Sequence, residues 1–256
     1  MVKKILILLL LLSSCSTHFL KKEDKPFSGI LKDNITWDGE IFIEKDLLIP
    51  ANVELIIKPG TKIYFNKADS SRTEPIFLLP ENEILIRGKM IAKGTQKNPI
   101  IFTIKSEKPS NKDWGGIVVD KGLLIMDNCI VNFASSGITA ISGEIQLSNS
   151  KLTNNYTALS IFENVKGSIK NLQIDSNKTG FIINNEIIEI SKVTITNNEE
   201  GLIVKNLPPL TNKVEVTKND SGLIIPIKLI KFFVKGNTVH ENKNNVYFYN
   251  NPFDKN

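Results

Sequence analysis

The chain is poor in the residues that carry out most protein chemistry: it has two cysteines (Cys15, Cys129), two histidines (His18, His240) and two arginines (Arg72, Arg87). With one cysteine in the apolar leader described below, no disulfide framework is expected, and the fold must stand on packing. That is no handicap for a single domain of this length, because large chains bury most of their surface. Histidines at opposite ends of the chain exclude a two-histidine metal site, and no metal or cofactor is expected. The formal net charge of +5 is too small to argue for nucleic acid. The uninterrupted apolar run from Ile5 to Leu12 falls well short of the ~20 residues a membrane-spanning helix needs.

What the N-terminus does have is an export pattern. Lys3 and Lys4 precede the apolar run, and the small Ser13 and Ser14 stand before Cys15. Leu12-Ser13-Ser14-Cys15 resembles the lipobox of bacterial lipoproteins. That resemblance implies cleavage before Cys15 and a diacylglycerol on its sulfur, with an ordinary secretory signal as the alternative. Residues 1–14 then form a signal peptide, and 15–28, with Lys21-Lys22-Glu23-Asp24-Lys25-Pro26, a polar tether. Ser16 is not the aspartate associated with inner-membrane retention in many lipoproteins, which points to the outer membrane of a cell envelope.

The rest of the chain is governed by a repeat. Gly137, Ala158, Gly180, Gly201, Gly222 and Asn245 recur at nearly even spacings, and apolar columns fall into line around them. One residue after each anchor stand Ile138, Leu159, Phe181, Leu202, Leu223 and Val246; three after stand Ala140, Ile161, Ile183, Val204, Ile225 and Phe248. Alternation within each short run predicts strands with one face inward. Further runs, including Ile145-Gln146-Leu147, Ile188-Glu189-Ile190 and Phe232-Phe233-Val234, predict three strands per coil. Three residues before the anchors, Ala134 is followed by Asn155, Asn177, Asn198, Asn219 and Asn242. Stacked side-chain amides at one corner would satisfy buried polar groups, and asparagine tolerates a left-handed bend, a need the anchor glycines would share.

This alternation and asparagine ladder resemble the right-handed parallel β-helix family, which includes carbohydrate-active enzymes and adhesins. The predicted fold is therefore all-β, a solenoid with a period of about 22 residues per coil. It spans 29–256, with irregular N-terminal coils and a cap in 29–122 and regular coils in 123–253. Pro59-Gly60-Thr61 and Trp114-Gly115-Gly116 are similar to motifs of the opening coils of that family. Asn66 to Glu83 and Lys105 to Asp113 read as projecting loops, residues 30–44 as one end cap, and 246–249 with Pro252 and Phe253 as the other.

Enzymes on this scaffold need converging carboxylates. Among the outward positions of the regular coils only Asp175 and Glu215 are acidic, two coils apart, and Asp113, Asp120 and Asp127 around Trp114 read as solvated turn residues. Cys129 lies in a column that elsewhere holds Leu172, Val193 and Val214, so it reads as core. No catalytic residue is assigned. Two outward columns suggest recognition instead. Ile182, Ile203, Ile224 and Tyr247 form an apolar stripe that would meet a protein partner or a second copy of the chain, unless a loop or the tail covers it. Thr153, Thr194, Thr196 and Thr217 form a hydroxyl-rich face, interrupted by Lys151, Asp175 and Glu215, that would either bind ice or sugar or simply keep the sheet soluble. The expectation is a noncatalytic envelope lipoprotein, held to the membrane through Cys15, that presents a rigid rod to a polysaccharide or protein; a β-helical polysaccharide lyase or glycoside hydrolase is the alternative.

Overall fold

A computed structural model describes residues 26–67 and 82–249. The signal peptide, Cys15, His18, Arg72, most of the first expected loop, and Pro252 with Phe253 lie outside the described residues. Among the described residues every strand pairing is parallel, and the strands wind into about nine coils with three faces. Parallel strands joined by crossovers wind right-handed.

The first sheet runs from Phe27–Ile30 through Glu83–Ile86, Trp114–Val119, Thr179–Ile183, Glu200–Val204 and Ser221–Pro226 to Asn244–Tyr249. The second includes Ile35–Trp37, Glu54–Ile57, Lys89–Lys93 and Leu123–Asp127. The third includes Lys62–Phe65, Ile100–Ile104, Cys129–Asn132, Lys151–Thr153 and Thr238–His240. Longer strands such as Thr157–Asp175 turn corners and serve more than one sheet.

The inward columns are those the repeat predicts: Ile138 pairs with Leu159, Leu159 with Phe181, Phe181 with Leu202, Leu202 with Leu223, and Leu223 with Val246. From Ile138 to Leu223 each is at most 1% exposed. The asparagines form a continuous ladder. Asn155 Nδ2 donates to Asn177 Oδ1 at 3.1 Å, Asn177 to Asn198 at 3.0 Å, Asn198 to Asn219 at 2.9 Å and Asn219 to Asn242 at 2.8 Å. Each acceptor oxygen also takes the backbone N–H of the preceding ladder residue, so one side chain satisfies two buried donors.

The bend itself is made differently from the expectation. The left-handed residues are not the ladder asparagines but those just before them: Asn154, Ser176, Asn197, Lys218 and Glu241, with φ between 54° and 58°. The anchor glycines Gly137, Gly180, Gly201 and Gly222 do not have positive φ. Their column is crowded by the next coil, where an added Cβ at Gly180 would stand 2.5 Å from the Gly201 carbonyl oxygen; between Gly137 and Gly222 only Ala158 carries a side chain, and Asn245 follows in the last described coil.

A second column of left-handed residues was not anticipated: Asn128, Asn149, Asn171, Lys192, Lys213 and Gly236. Each stands five residues before a left-handed residue of the first column, Phe133 included. Two single-residue bends therefore enclose four residues of the third sheet in coil after coil, which makes this the most strictly metered face of the rod.

Residues 30–44 are built as strands: Ile35–Trp37 and Glu40–Ile49 stand in register with the following coil because their apolar residues fall on its inward columns, and Leu31 and Trp37 are buried at this end of the core. Two local expectations are corrected. Residues 246–249 likewise continue the inward column of the previous coil and do not close the end. Phe232-Phe233-Val234 is not a strand: Ile227–Leu229 and Ile230–Phe233 are helical, burying Leu229 and Phe233 and leaving Phe232 exposed. A helical turn sets Leu229 and Phe233, four apart, side by side on one face, whereas a strand would space them about 13 Å apart along its length.

Candidate functional site: the outer face of the third sheet

From Asn128 onward the metering stacks the outward side chains of the third sheet in columns, and strand pairing carries the register back into the earlier, less regular coils. One column runs Phe42, Tyr64, Thr103, Asn132, Thr153, Asp175, Thr196, Thr217 and His240, one residue per coil. At one end the Phe42 and Tyr64 rings stack, with centroids 5.4 Å apart and planes 24° from parallel, and the Lys105 ammonium lies 5.5 Å and 5.8 Å from them. Both rings are half-buried and outward. The remainder of the lane is hydroxyl, amide and carboxylate until His240; Thr217 is buried, and Asn132 Oδ1 and Thr217 Oγ1 are buried atoms without a hydrogen-bond partner.

Asp175 lies in the middle of the lane. Burial pushes its carboxyl up, but hydrogen bonds from Asn197 and Lys151, with the Lys151 charge at 3.3 Å, outweigh burial and hold it below the usual carboxylate range. Along the corner beside the lane runs a polar groove of about 470 Å³ lined by Asn111, Lys178, Asn197, Glu199, Lys218 and Asp220 among others. Lys112, in the loop that supplies Asn111, lies 3.7 Å from the centre of the Tyr156 ring, so this loop folds along the corner.

The remaining acids do not converge. Asp113, Asp120 and Asp127 occupy three successive corners of one coil, and each has its own partners. Asp113 accepts from the Ser110 amide and pairs with Lys67; Asp120 pairs with Arg87; Asp127 accepts from Ser148 and Asn149. Burial raises Asp127, yet those hydrogen bonds bring it below its ordinary value. Trp114 is an interior residue: its ring stacks on Phe65 at 3.8 Å and its indole N–H donates to the Asn132 carbonyl. Glu215 meets His240 at 3.0 Å. Cys129 is buried, its thiol pushed up to about 12 by desolvation, so it carries no nucleophilic chemistry. Among the described residues no cluster of histidine, cysteine and carboxylate side chains could hold a metal ion, and no helix is long and apolar enough to cross a membrane.

Ile182, Ile203, Ile224 and Tyr247 do fall into one outward column, paired in turn across neighbouring strands. Ile203 is 8% exposed and Tyr247 60%. The column reappears at the other end of the rod as Leu48, Leu85 and Val118, which are buried. The Tyr249 hydroxyl reaches back across a coil to donate to the Val204 carbonyl at 2.7 Å.

Sequence reasoning found the threonines of the lane but missed its aromatic end. The signal was available: Phe42 and Tyr64 stand one coil apart in runs that alternate with inward isoleucines. It also missed a groove of about 620 Å³ bordered by Glu186, Glu189, Pro208, Leu210, Phe232 and Lys235, to which the helical Phe232 segment contributes part of the lining.

A family model described as a pectate-lyase-like β-helix domain matches residues 29–123, the part of the chain that carries Phe42, Tyr64 and Thr103. Comparison with curated proteins and with solved structures finds no match. The fold and this match define the class: the chain is a right-handed parallel β-helix protein.

Proposed function

We propose that the chain is an envelope lipoprotein, anchored through Cys15, whose β-helical rod binds a polysaccharide along the outer face of the third sheet without cleaving it. The observation that carries this reading is the lane from the stacked Phe42 and Tyr64 along a row of polar side chains to His240. Aromatic faces pack against the C–H faces of sugars, and hydroxyl and amide groups match sugar hydroxyls. With strands ~4.8 Å apart the lane is on the order of 40 Å long, enough to follow several sugar units of an extended chain. Carboxylates with separate partners favour holding a polymer over breaking it.

A glycan array probed with the full chain, with the length of any bound oligosaccharide followed over hours, tests this. Binding with unchanged lengths is expected, and Tyr64→Ala should weaken it about tenfold, the loss of roughly 1.4 kcal/mol of ring contact. Shortened oligosaccharides would instead establish a lyase or hydrolase, and binding indifferent to Tyr64 would move the site elsewhere. Cys15→Ser should release the chain from membranes and abolish incorporation of a labelled fatty acid; persistence of both would remove the anchor from this reading.

A further inference from the structure

The two ends of the rod are finished differently. At the N-terminal end an extra half-coil covers the core: Trp37 is 1% exposed, Leu31 8%, and Phe27 packs on Trp37 with ring centroids 5.1 Å apart, although Phe27–Ile30 also pairs on one side only among the described residues and leaves Ile30 53% exposed. Exposed Lys32, Asp33 and Asp38 surround that end. At the other end Asn244–Tyr249, among the described residues, pairs on one side only, with Ser221–Pro226. Its inward residues Val246 and Phe248 are 38% and 46% exposed, whereas Leu223 and Ile225, one coil back in the same columns, are 1% and 0%. The ladder does not invite a further coil, because Asn245 of the same chain supplies the acceptor for Asn242 N and Nδ2. What stays open is a strand edge with unburied core residues beneath it, the feature that β-proteins ordinarily guard with lysine, proline or a cover. The strand contains no charged residue.

We propose that Asn244–Tyr249 is a self-association edge, pairing antiparallel with the same strand of a second copy about a two-fold axis through Tyr247. The exposed charges at the N-terminal end and the ladder already closed by Asn245 at this one disfavour head-to-tail stacking, which leaves an isologous contact. Alternation fixes the register. Residues opposite one another in an antiparallel pair share a face, and centring on Tyr247 sets Val246 against Phe248 of the other copy twice over, covering both open cores. An uncharged strand meets its own copy without like-charge repulsion.

Cysteine cross-linking in the full chain carrying Cys15→Ser tests the proposal, since the remaining native thiol, Cys129, is buried. Adding Tyr247→Cys places two sulfurs across the axis, where opposed Cα atoms stand ~4.5–5.5 Å apart. Ile203→Cys, in the same outward column two coils back, would lie on the order of 24 Å from its mate. Under mild oxidant most Tyr247→Cys chains should become disulfide-linked dimers, at least tenfold more than with Ile203→Cys, and Phe248→Lys should suppress the linkage with an unchanged melting curve. Equal or stronger linkage through Ile203→Cys would put the contact on the side stripe and overturn the proposal, as would a Tyr247→Cys chain that stays monomeric at high micromolar concentration. A chain ending at Tyr249 that dimerises when the full chain does not would assign the edge to the tail and overturn it equally.

Discussion

The corner between the third and first sheets is built in two ways within one rod. In the first coils it is filled by rings, with Phe65 stacked on Trp114; in the later coils it is filled by amides, from Asn155 to Asn242. Ala134 pairs with Trp114 on one side and donates its amide to Asn155 on the other, so it joins the two systems. The coil lengths explain the change. The early coils that carry Ile63 onto Phe102, and Phe102 onto Val131, are much longer than the regular coil that carries Val131 onto Leu152. An amide ladder needs each rung to hang from the same tight bend. Where insertions open that bend, large apolar side chains fill the corner, since packing tolerates irregular backbone that hydrogen-bond geometry does not.

This contrast can be broken at either system. Trp114→Ala removes the largest ring of the early corner and should cost about 3–5 kcal/mol, read by denaturant unfolding. Asn198→Ala strands the amide and backbone donors of Asn177 and should cost about 3 kcal/mol. Hydrogen exchange would sharpen the result. Asn198→Ala should accelerate exchange in residues 150–249 more than in 26–67, and uniform acceleration would mean that the two corners belong to a single cooperative unit.

Acid should act in the later and middle coils through Asp175 and Asp127, both held below the ordinary carboxylate value of 3.8. Because the folded values are depressed, their stabilisation is complete above about pH 4 and is lost as pH falls through those lowered values. Melting temperatures followed from pH 5 to 2 should therefore fall less steeply for Asp175→Asn than for the parent. The smallest effect is a gain. Lys213 holds φ 56° in a bend where asparagine serves in three other coils, and Lys213→Asn should raise stability by about 0.5 kcal/mol, with a matching rise in denaturation midpoint.

How much of this was legible in the sequence follows the same division. In the later coils inward columns, ladder and register could be read directly, because a nearly constant coil length repeats the same environment and so the same residue types. The left-handed bends were harder to see. Lys192, Lys213, Lys218 and Glu241 occupy them alongside asparagine, since an exposed bend selects weakly and a long polar side chain carries only modest strain there. The helical turn at Ile230–Phe233 escaped notice because three consecutive apolar residues fit a strand and a short helix equally well. The lane's aromatic end was hidden by the long third coil, which separates Tyr64 from its neighbour Thr103 by nearly two regular coil lengths and so breaks the periodicity that reveals columns elsewhere.

The four residues enclosed between two bends have an evolutionary corollary. A coil delimited in this way is a self-contained module: duplicating one coil-length segment in the later half would extend the lane by one row and leave every neighbouring contact with an equivalent partner. The length of the lane could thus change by copying or deleting whole modules, with no new side chain having to be invented.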